Sequence, residues 1–172
     1  MQHVVEELET EGYAIIRGFL PPAAIEAIGG EADKMYREGL KHHATYRDKN
    51  LLFEVLDDPK ARRRVVLQAH WTAWISPLLE RMRRSERFFS VLEPFLGNDI
   101  KQISHQIHWK PPGAKYTFYR FHQDARFRQG KVQNIDAVRS SVTTGLAIDR
   151  QTVENGSPSG LGRVMPPSRR AQ

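Results

Sequence analysis

His122 and Asp124 are the two residues whose types and spacing point most directly to chemistry. They lie two positions apart in the stretch YRFHQDARFR, residues 119–128. An imidazole and a carboxylate at this spacing on an extended segment can reach one metal ion from the same side. A third ligand from another strand would complete a facial triad, the arrangement that favours Fe(II) oxygen chemistry. From spacing alone, a hydrogen-bonded surface pair is the better interpretation.

Other side chains could take part in a site, but each also has a structural interpretation. Further imidazoles could supply a metal ligand, although core or surface roles are the default for His42, His43, His70, His105 and His108. Tryptophans could stack on a substrate, although core packing is the default for Trp71, Trp74 and Trp109. Arginines around the motif could hold an anionic substrate or form a solvated rim; they are Arg120, Arg126 and Arg128.

Length and composition narrow the class of protein. A chain of 172 residues is most simply one domain with a hydrophobic core. The absence of cysteine excludes disulfides, thiolate ligands and a cysteine nucleophile, and it suits a reducing cytoplasm. No apolar run reaches membrane-spanning length, and the acidic first residues argue against a secretory signal. The net charge of +6 comes from dispersed cations without a nucleic-acid motif, so we expect no nucleic-acid or membrane partner.

Helical patterns dominate the first 98 residues. Residues 2–10 predict a short amphipathic helix that stops at Gly12, and Pro21-Pro22 predicts the start of a second helix. Within that second helix, the pair Gly29-Gly30 weakens the pattern or marks a kink. Residues 58–96 again read as helical, with prolines near helix starts or bends. Short extended pieces are predicted at residues 13–17 and 51–55.

Strand patterns follow residue 99. One face of the predicted strand carries Ile103, His105, Ile107 and Trp109, and the other carries Ser104, Gln106, His108 and Lys110. Residues 111–113, Pro-Pro-Gly, break this strand. Residues 116–121 and 140–148 are further strand candidates, and residues 149–156 predict a turn. Helices followed by strands indicate an α+β fold in which helices pack on a sheet.

Five segments in order resemble the phytanoyl-CoA dioxygenase family. They read GYAIIRGFLPP, LEPFLGNDI, QIHWKPPGAK, FHQD and TTGLAIDRQTVENG, and the resemblance covers residues 10–156. It implies a double-stranded β-helix of the jelly-roll or cupin type, incomplete at the C-terminus, with N-terminal helices packed on the sheet. We therefore expect a single domain over residues 1–172. Its parts would be a mainly helical part (1–98), a β-helix part (99–165) and a basic tail (166–172).

The same resemblance implies a cofactor set and three site residues. His122 and Asp124 match the first two iron ligands of the family, and Gln106 matches a position that contacts 2-oxoglutarate. The implied cofactors are Fe(II) and 2-oxoglutarate, and the implied activity is hydroxylation of a small molecule. The Asn155-Gly156 turn matches the bend before the strand that delivers a distal histidine.

No histidine follows the Asn155-Gly156 turn in this sequence. Alignment of the last residues places Arg169 at the position of the distal histidine, and a protonated guanidinium cannot donate a lone pair to a metal. The arginine that pairs with the far carboxylate of the cosubstrate is missing as well. We therefore expect an impaired oxygenase. The alternatives are a non-catalytic truncated remnant and a basic module that binds acidic ligands.

Overall fold

Helices and a small antiparallel sheet make up the described part of the chain. The computed structural model describes residues 2–115, 122 and 141–158. In chain order the elements are α1 (Gln2–Glu11), α2 (Pro22–Leu40), β1 (Tyr46–Asp48), β2 (Leu51–Asp58), β3 (Arg63–His70), a short 3-10 helix (Thr72–Trp74), α3 (Pro77–Arg83), α4 (Glu86–Leu96) and β4 (Gln106–His108). This layout is α+β with a four-stranded antiparallel sheet. The double-stranded β-helix expected from the family resemblance stays a prediction.

The helix ends follow the local signals in the sequence. Gly12, with φ of 81°, follows the last residue of α1 and adopts the left-handed conformation that glycine tolerates. Pro21 precedes α2 and Pro22 occupies its first turn, where a missing N–H costs nothing. Ser76 caps α3 by accepting a hydrogen bond from the Leu79 N–H at 3.3 Å. The predicted stop of α1 at Gly12 and the predicted start of α2 at Pro21-Pro22 are confirmed.

The sheet has the order β1-β2-β3-β4, and all its neighbouring strands are antiparallel. The β2–β3 hairpin forms its centre, with a register irregularity between Glu54 and Val55. β4 is short, but two backbone bonds extend its pairing, from Trp71 N–H to the His105 carbonyl and from Trp109 N–H to the Leu67 carbonyl. The connecting turns place Lys49, Arg62 and Trp71 at positive φ, between 51° and 55°.

The core lies between α2, α3 and one face of the sheet. Ile28, Ala32 and Met35 recur on one side of α2 and are each less than 10% exposed. They pack with sheet residues and with Leu79 of α3; the sheet residues are Phe53, Val55, Val66, Ala69 and Ile107. Gly39 permits the close approach of α2, because a Cβ there would lie 2.8 Å from Val66 Cγ2.

The glycine pair of α2 does not interrupt the helix, and its first member, Gly29, has a packing role. The helix runs without interruption through Gly29 and Gly30. A Cβ on Gly29 would lie 3.2 Å from Ile148 Cγ2, so the bare backbone leaves space for this side chain. Ile148 and Leu146 pack against the core, although residues 141–148 contain no strand. The strand predicted at 140–148 is therefore wrong over its described residues.

Two further predictions of secondary structure are wrong. Residues 63–70, expected to be helical, form β3, so three of the four strands precede α3 and the order of helices first and strands second fails. Residues 13–17, expected to be extended and β-like, form no strand, and none of the described strands pairs with them. Without a neighbouring strand, a β-prone run has no partner for its backbone groups. The strand predicted at 116–121 lies outside the described residues.

The candidate active-site face

Strand pairing sorts side chains onto two faces at the edge of the sheet. β3 and β4 pair so that Gln68 lies opposite His108, Ala69 opposite Ile107, and His70 opposite Gln106. Since successive side chains point to opposite faces, the middle pair enters the core and the outer pairs share the other face. The predicted alternation is confirmed here, because Ile107 is buried and its neighbours Gln106 and His108 are exposed.

Five side chains form what we call the polar cluster: Glu54, Gln68, His70, Gln106 and His108. Glu54 lies opposite Gln68 across the β2–β3 pair, and Gln68 Nε2 donates a hydrogen bond to Glu54 Oε2. On β4, His108 Nε2 and Gln106 Oε1 are 2.9 Å apart. The cluster thus combines one carboxylate, two amides and two imidazoles on one face of three adjacent strands. It is the polar counterpart of the apolar core face.

Burial keeps both histidines of the cluster in the neutral form. Burial is the main cause that lowers the pKa of His70, with a smaller effect of Arg47 in the same direction and an opposing one of Glu54. Burial also lowers the pKa of His108, assisted by nearby His70. Although His108 keeps an exposed edge, the atoms around the rest of its ring reduce its hydration. Two neutral imidazoles beside Gln106 leave the cluster without a fixed positive charge at pH 7.

His70 has an unsatisfied nitrogen. Its Nε2 atom is buried and has no hydrogen-bond partner among the described atoms. A buried polar atom without a partner costs free energy, and native proteins usually pair such atoms with protein, water or ligand. Among the described residues, the cluster therefore contains one imidazole nitrogen whose hydrogen-bonding capacity is unused.

Lys110 connects the end of β4 to the predicted Asn-Gly turn. Its Nζ donates a hydrogen bond to the Gly156 carbonyl. The turn is held internally by Asn155, whose Oδ1 accepts from the Thr152 N–H at 2.8 Å and whose Nδ2 donates to the Arg150 carbonyl at 2.6 Å. Gly156 has φ of 78°, which suits glycine. The predicted turn is confirmed, and Lys110 brings it beside the strand that carries Gln106.

The structure describes one of the two predicted metal ligands. His122 is described and exposed, whereas Asp124 lies outside the described residues, together with Arg120, Arg126, Arg128 and Arg169. Over residues 2–115, 122 and 141–158, no group of three or more His, Asp or Glu side chains is arranged to hold a metal ion. The pairing of His122 with Asp124 therefore stays a prediction.

The remaining histidines and tryptophans have structural surroundings. His42 stacks on Tyr46 at 4.0 Å between ring centroids, and His105 is a buried neighbour of Trp71. Trp109 packs edge-to-face on Tyr36 at 5.5 Å, beside the core. Trp74 remains half exposed. These surroundings agree with the core and surface roles expected from the sequence.

Sequence reasoning missed three members of the polar cluster as site residues. Glu54 and Gln68 were not singled out, and His70 was assigned a core or surface role. The cause is the helical interpretation of residues 58–96, which hid the pairing of β3 with β4. The available signal was the β-branched pair Val65-Val66, which favours a strand, but a short apolar run does not by itself distinguish a buried strand from a buried helix.

A scan against protein-family models identified a family that covers most of the chain. The model described as phytanoyl-CoA dioxygenase (PhyH) covers residues 8–163. Neither the curated proteins nor the solved structures gave a match. Among the described helices, none is both long and apolar enough to cross a membrane.

Proposed function

Because this chain belongs to the phytanoyl-CoA dioxygenase family, we propose that it acts as an Fe(II)- and 2-oxoglutarate-dependent oxygenase on a small molecule. The family carries this type of activity in general. The substrate, the role of each site residue and a cytoplasmic location belong to the proposal. The absence of cysteine supports the location.

The observation that carries the proposal is the position of Gln106 in the polar cluster. Its exposed side chain lies beside the unpartnered Nε2 of His70 and the neutral ring of His108. An amide N–H and an imidazole N–H are suitable donors to a carboxylate or a keto oxygen. The one carboxylate of the cluster, Glu54, already accepts a hydrogen bond from Gln68, which reduces its repulsion of an anion.

His122 and Asp124 are the residues that would hold Fe(II). Their nitrogen and oxygen donors match the mixed ligand set that non-haem Fe(II) takes in oxygenases. When bound, Fe(II) supplies O2 activation coupled to the conversion of 2-oxoglutarate to succinate and CO2, which oxidises a C–H bond of the substrate.

A polypeptide limited to these 172 residues should bind Fe(II) weakly. His122 and Asp124 supply two protein ligands, and Arg169 cannot act as the third. We therefore expect little turnover from this polypeptide alone. A non-catalytic remnant would show no specific Fe(II) binding at all, and a basic binding module would instead bind polyanions with a steep salt dependence.

The test is the anaerobic binding of Fe(II) and 2-oxoglutarate, followed by visible absorption spectroscopy. Chelation of Fe(II) by the keto acid should give a charge-transfer band that is lost in His122→Ala and Asp124→Ala. Gln106→Ala should weaken 2-oxoglutarate binding about tenfold, since one hydrogen bond to a charged group is lost.

The matched control is Gln102→Ala. This glutamine lies on the segment before β4 and accepts a hydrogen bond from Arg83 at 3.3 Å, and it is not part of the polar cluster. Its replacement should leave 2-oxoglutarate binding unchanged. An equal band in wild type, His122→Ala and Asp124→Ala would contradict the proposed metal site. Equal losses in Gln106→Ala and Gln102→Ala would contradict the proposed cosubstrate site.

A further inference from the structure

Two glutamine amides lie in the polar cluster, and each contacts another side chain of the cluster. Gln68 Nε2 donates a hydrogen bond to Glu54 Oε2, and Gln106 Oε1 lies 2.9 Å from His108 Nε2. An amide has a donor end and an acceptor end, so a partner at one end decides what the other end offers to a ligand. The partners of the two amides therefore set the hydrogen-bonding character of this face.

The orientation of the Gln68 amide follows directly from its partner. A carboxylate only accepts hydrogen bonds, so the amide nitrogen of Gln68 must face Glu54. Glu54 lies opposite Gln68, and Gln68 lies opposite His108, so these three side chains form one row across β2, β3 and β4. At the end of this row, His108 is the side chain that contacts Gln106.

The orientation of the Gln106 amide depends on which ring nitrogen of His108 carries the proton. Burial lowers the pKa of His108, so the ring is neutral and has one N–H group. If Nε2 carries the proton, it donates to Gln106 Oε1, and the amide N–H groups of Gln106 point away from the ring. If Nδ1 carries it, Nε2 must accept from the amide nitrogen, and Gln106 presents its oxygen instead.

The backbone of β4 keeps Gln106 and His108 together. Ile107, which lies between them, is 9% exposed and packs in the core, so its two neighbours share the opposite face. Backbone hydrogen bonds also attach the residues on either side of β4 to β3 and to the residue that follows β3. With the backbone fixed, the remaining freedom of Gln106 lies in its side chain, which the contact with His108 restrains.

We propose that His108 is a positioning residue for Gln106. The Nε2–H group of His108 donates to Gln106 Oε1 and so directs the amide N–H groups of Gln106 towards a ligand. Gln106 then recognises a hydrogen-bond acceptor, such as a carboxylate or keto oxygen of 2-oxoglutarate. The choice of this ligand rests on the proposed function, whereas the tautomer of His108 and the orientation of Gln106 do not.

The first measurement is the tautomer of His108, by NMR of the metal-free full chain at about pH 7.5, above the ordinary histidine pKa. Two-bond correlations between ring protons and ring nitrogens distinguish a protonated nitrogen from an unprotonated one. His108 should have a protonated Nε2 in the wild type, and this preference should weaken in Gln106→Ala, which lacks the acceptor. His43, whose Nδ1 lies 3.3 Å from Arg64, should give the same signals in both proteins. A protonated Nδ1 and an unprotonated Nε2 at His108 would overturn the proposal.

Two substitutions of His108 separate its N–H group from the bulk of its ring. His108→Phe keeps an aromatic ring but removes the hydrogen-bond donor. His108→Gln supplies an amide nitrogen with a similar reach, which can donate to Gln106 Oε1. The matched control is His43→Phe, which makes the same chemical change at an exposed position outside the polar cluster.

The second measurement is the affinity for 2-oxoglutarate, from anaerobic titration of the charge-transfer band in the presence of Fe(II). His108→Phe should weaken the affinity about fivefold, the equivalent of one hydrogen bond between neutral groups. His108→Gln and His43→Phe should keep the wild-type affinity. Equal losses in His108→Phe and His108→Gln would show that the ring acts by packing and would rule out its role as a donor.

A double-mutant cycle tests whether His108 acts through Gln106. In the Gln106→Ala background, His108→Phe should cause no further loss of affinity, because the side chain that it positions is already absent. An additional loss of about fivefold would contradict the positioning role. If Gln106→Ala binds 2-oxoglutarate as tightly as the wild type, the proposed cosubstrate site fails, while the tautomer of His108 still decides whether it holds Gln106.

Discussion

The two faces of the sheet are built from alternate residues of the same strands, yet helices pack on one face and the polar cluster lies on the other. The core face presents Phe53, Val66, Ala69 and Ile107 to helices α2 and α3. The other face presents the polar cluster, with an unpartnered imidazole nitrogen and two exposed β4 side chains. A register shift of one residue would exchange the two sets. The core face therefore holds the register that the polar cluster requires.

Phe53→Ala should cause the largest loss of unfolding free energy. Phe53 is 1% exposed, and the loss of a buried phenyl ring costs about 3–5 kcal/mol in unfolding free energy. Urea unfolding followed by circular dichroism measures the loss. The neighbouring Glu54→Ala removes a side chain from the polar cluster and should cost about 1 kcal/mol, the net value of one hydrogen bond. Similar losses of unfolding free energy in Phe53→Ala and Glu54→Ala would contradict the idea that the core face stabilises the fold while the polar cluster is available for binding.

Gly39→Ala should have the next largest effect. The new methyl group would lie 2.8 Å from Val66 Cγ2 and 3.0 Å from Phe53 Cδ1, so the core must shift, at a cost of about 1–3 kcal/mol. The matched control is Gly30→Ala in the same helix, where nothing lies within 4 Å. There the better helix propensity of alanine should add up to about 1 kcal/mol. Equal stabilisation in both variants, measured by thermal unfolding, would contradict the close packing of α2 on the sheet.

Acidification should cause the smallest loss of unfolding free energy, through protonation of the histidines. Burial lowers the pKa of His70, His105 and His108, so the unfolded chain binds protons more readily than the folded one. The resulting stability is complete above about pH 6.5, the ordinary histidine pKa, and is lost as the pH falls through the lower folded values. Urea midpoints at a series of pH values measure this loss.

His70→Gln tests the share of the polar cluster in that pH dependence. The variant keeps a neutral polar side chain and should reduce the slope of stability against pH between pH 7 and 5. His105 lies outside the polar cluster, so part of the slope should survive in His70→Gln. A slope that is unaffected by His70→Gln would show that this histidine has no part in the acid sensitivity.

Elements with local signals could be predicted from the sequence. Helices α1 and α2 begin or end at glycine and proline signals that act within a few residues. β3 could not be recognised in the same way, because the arginines before Val65 and the apolar run after it fit both a helix and a strand. Its identity depends on pairing with β2 and β4, which is a property of the tertiary structure.

The candidate site shows the same limit. The alternation of residues 104–110 predicted that Gln106 and His108 share a face, and the structure agrees. Their neighbours Glu54, Gln68 and His70 come from other strands, and the register of those strands decides which side chains meet. The hydrogen bond from the Lys115 N–H to Oδ2 of the buried Asp58 could not be predicted either, because the two residues are 57 positions apart.

Lys49 and Arg62 are candidate positions for substitutions that stabilise the chain. Both adopt positive φ, 55° and 51°, in turns that flank β2, a conformation that asparagine and glycine tolerate better. Both side chains are exposed. These two turns therefore offer sites where thermal resistance could be improved without redesigning either the packed interior or the candidate catalytic surface.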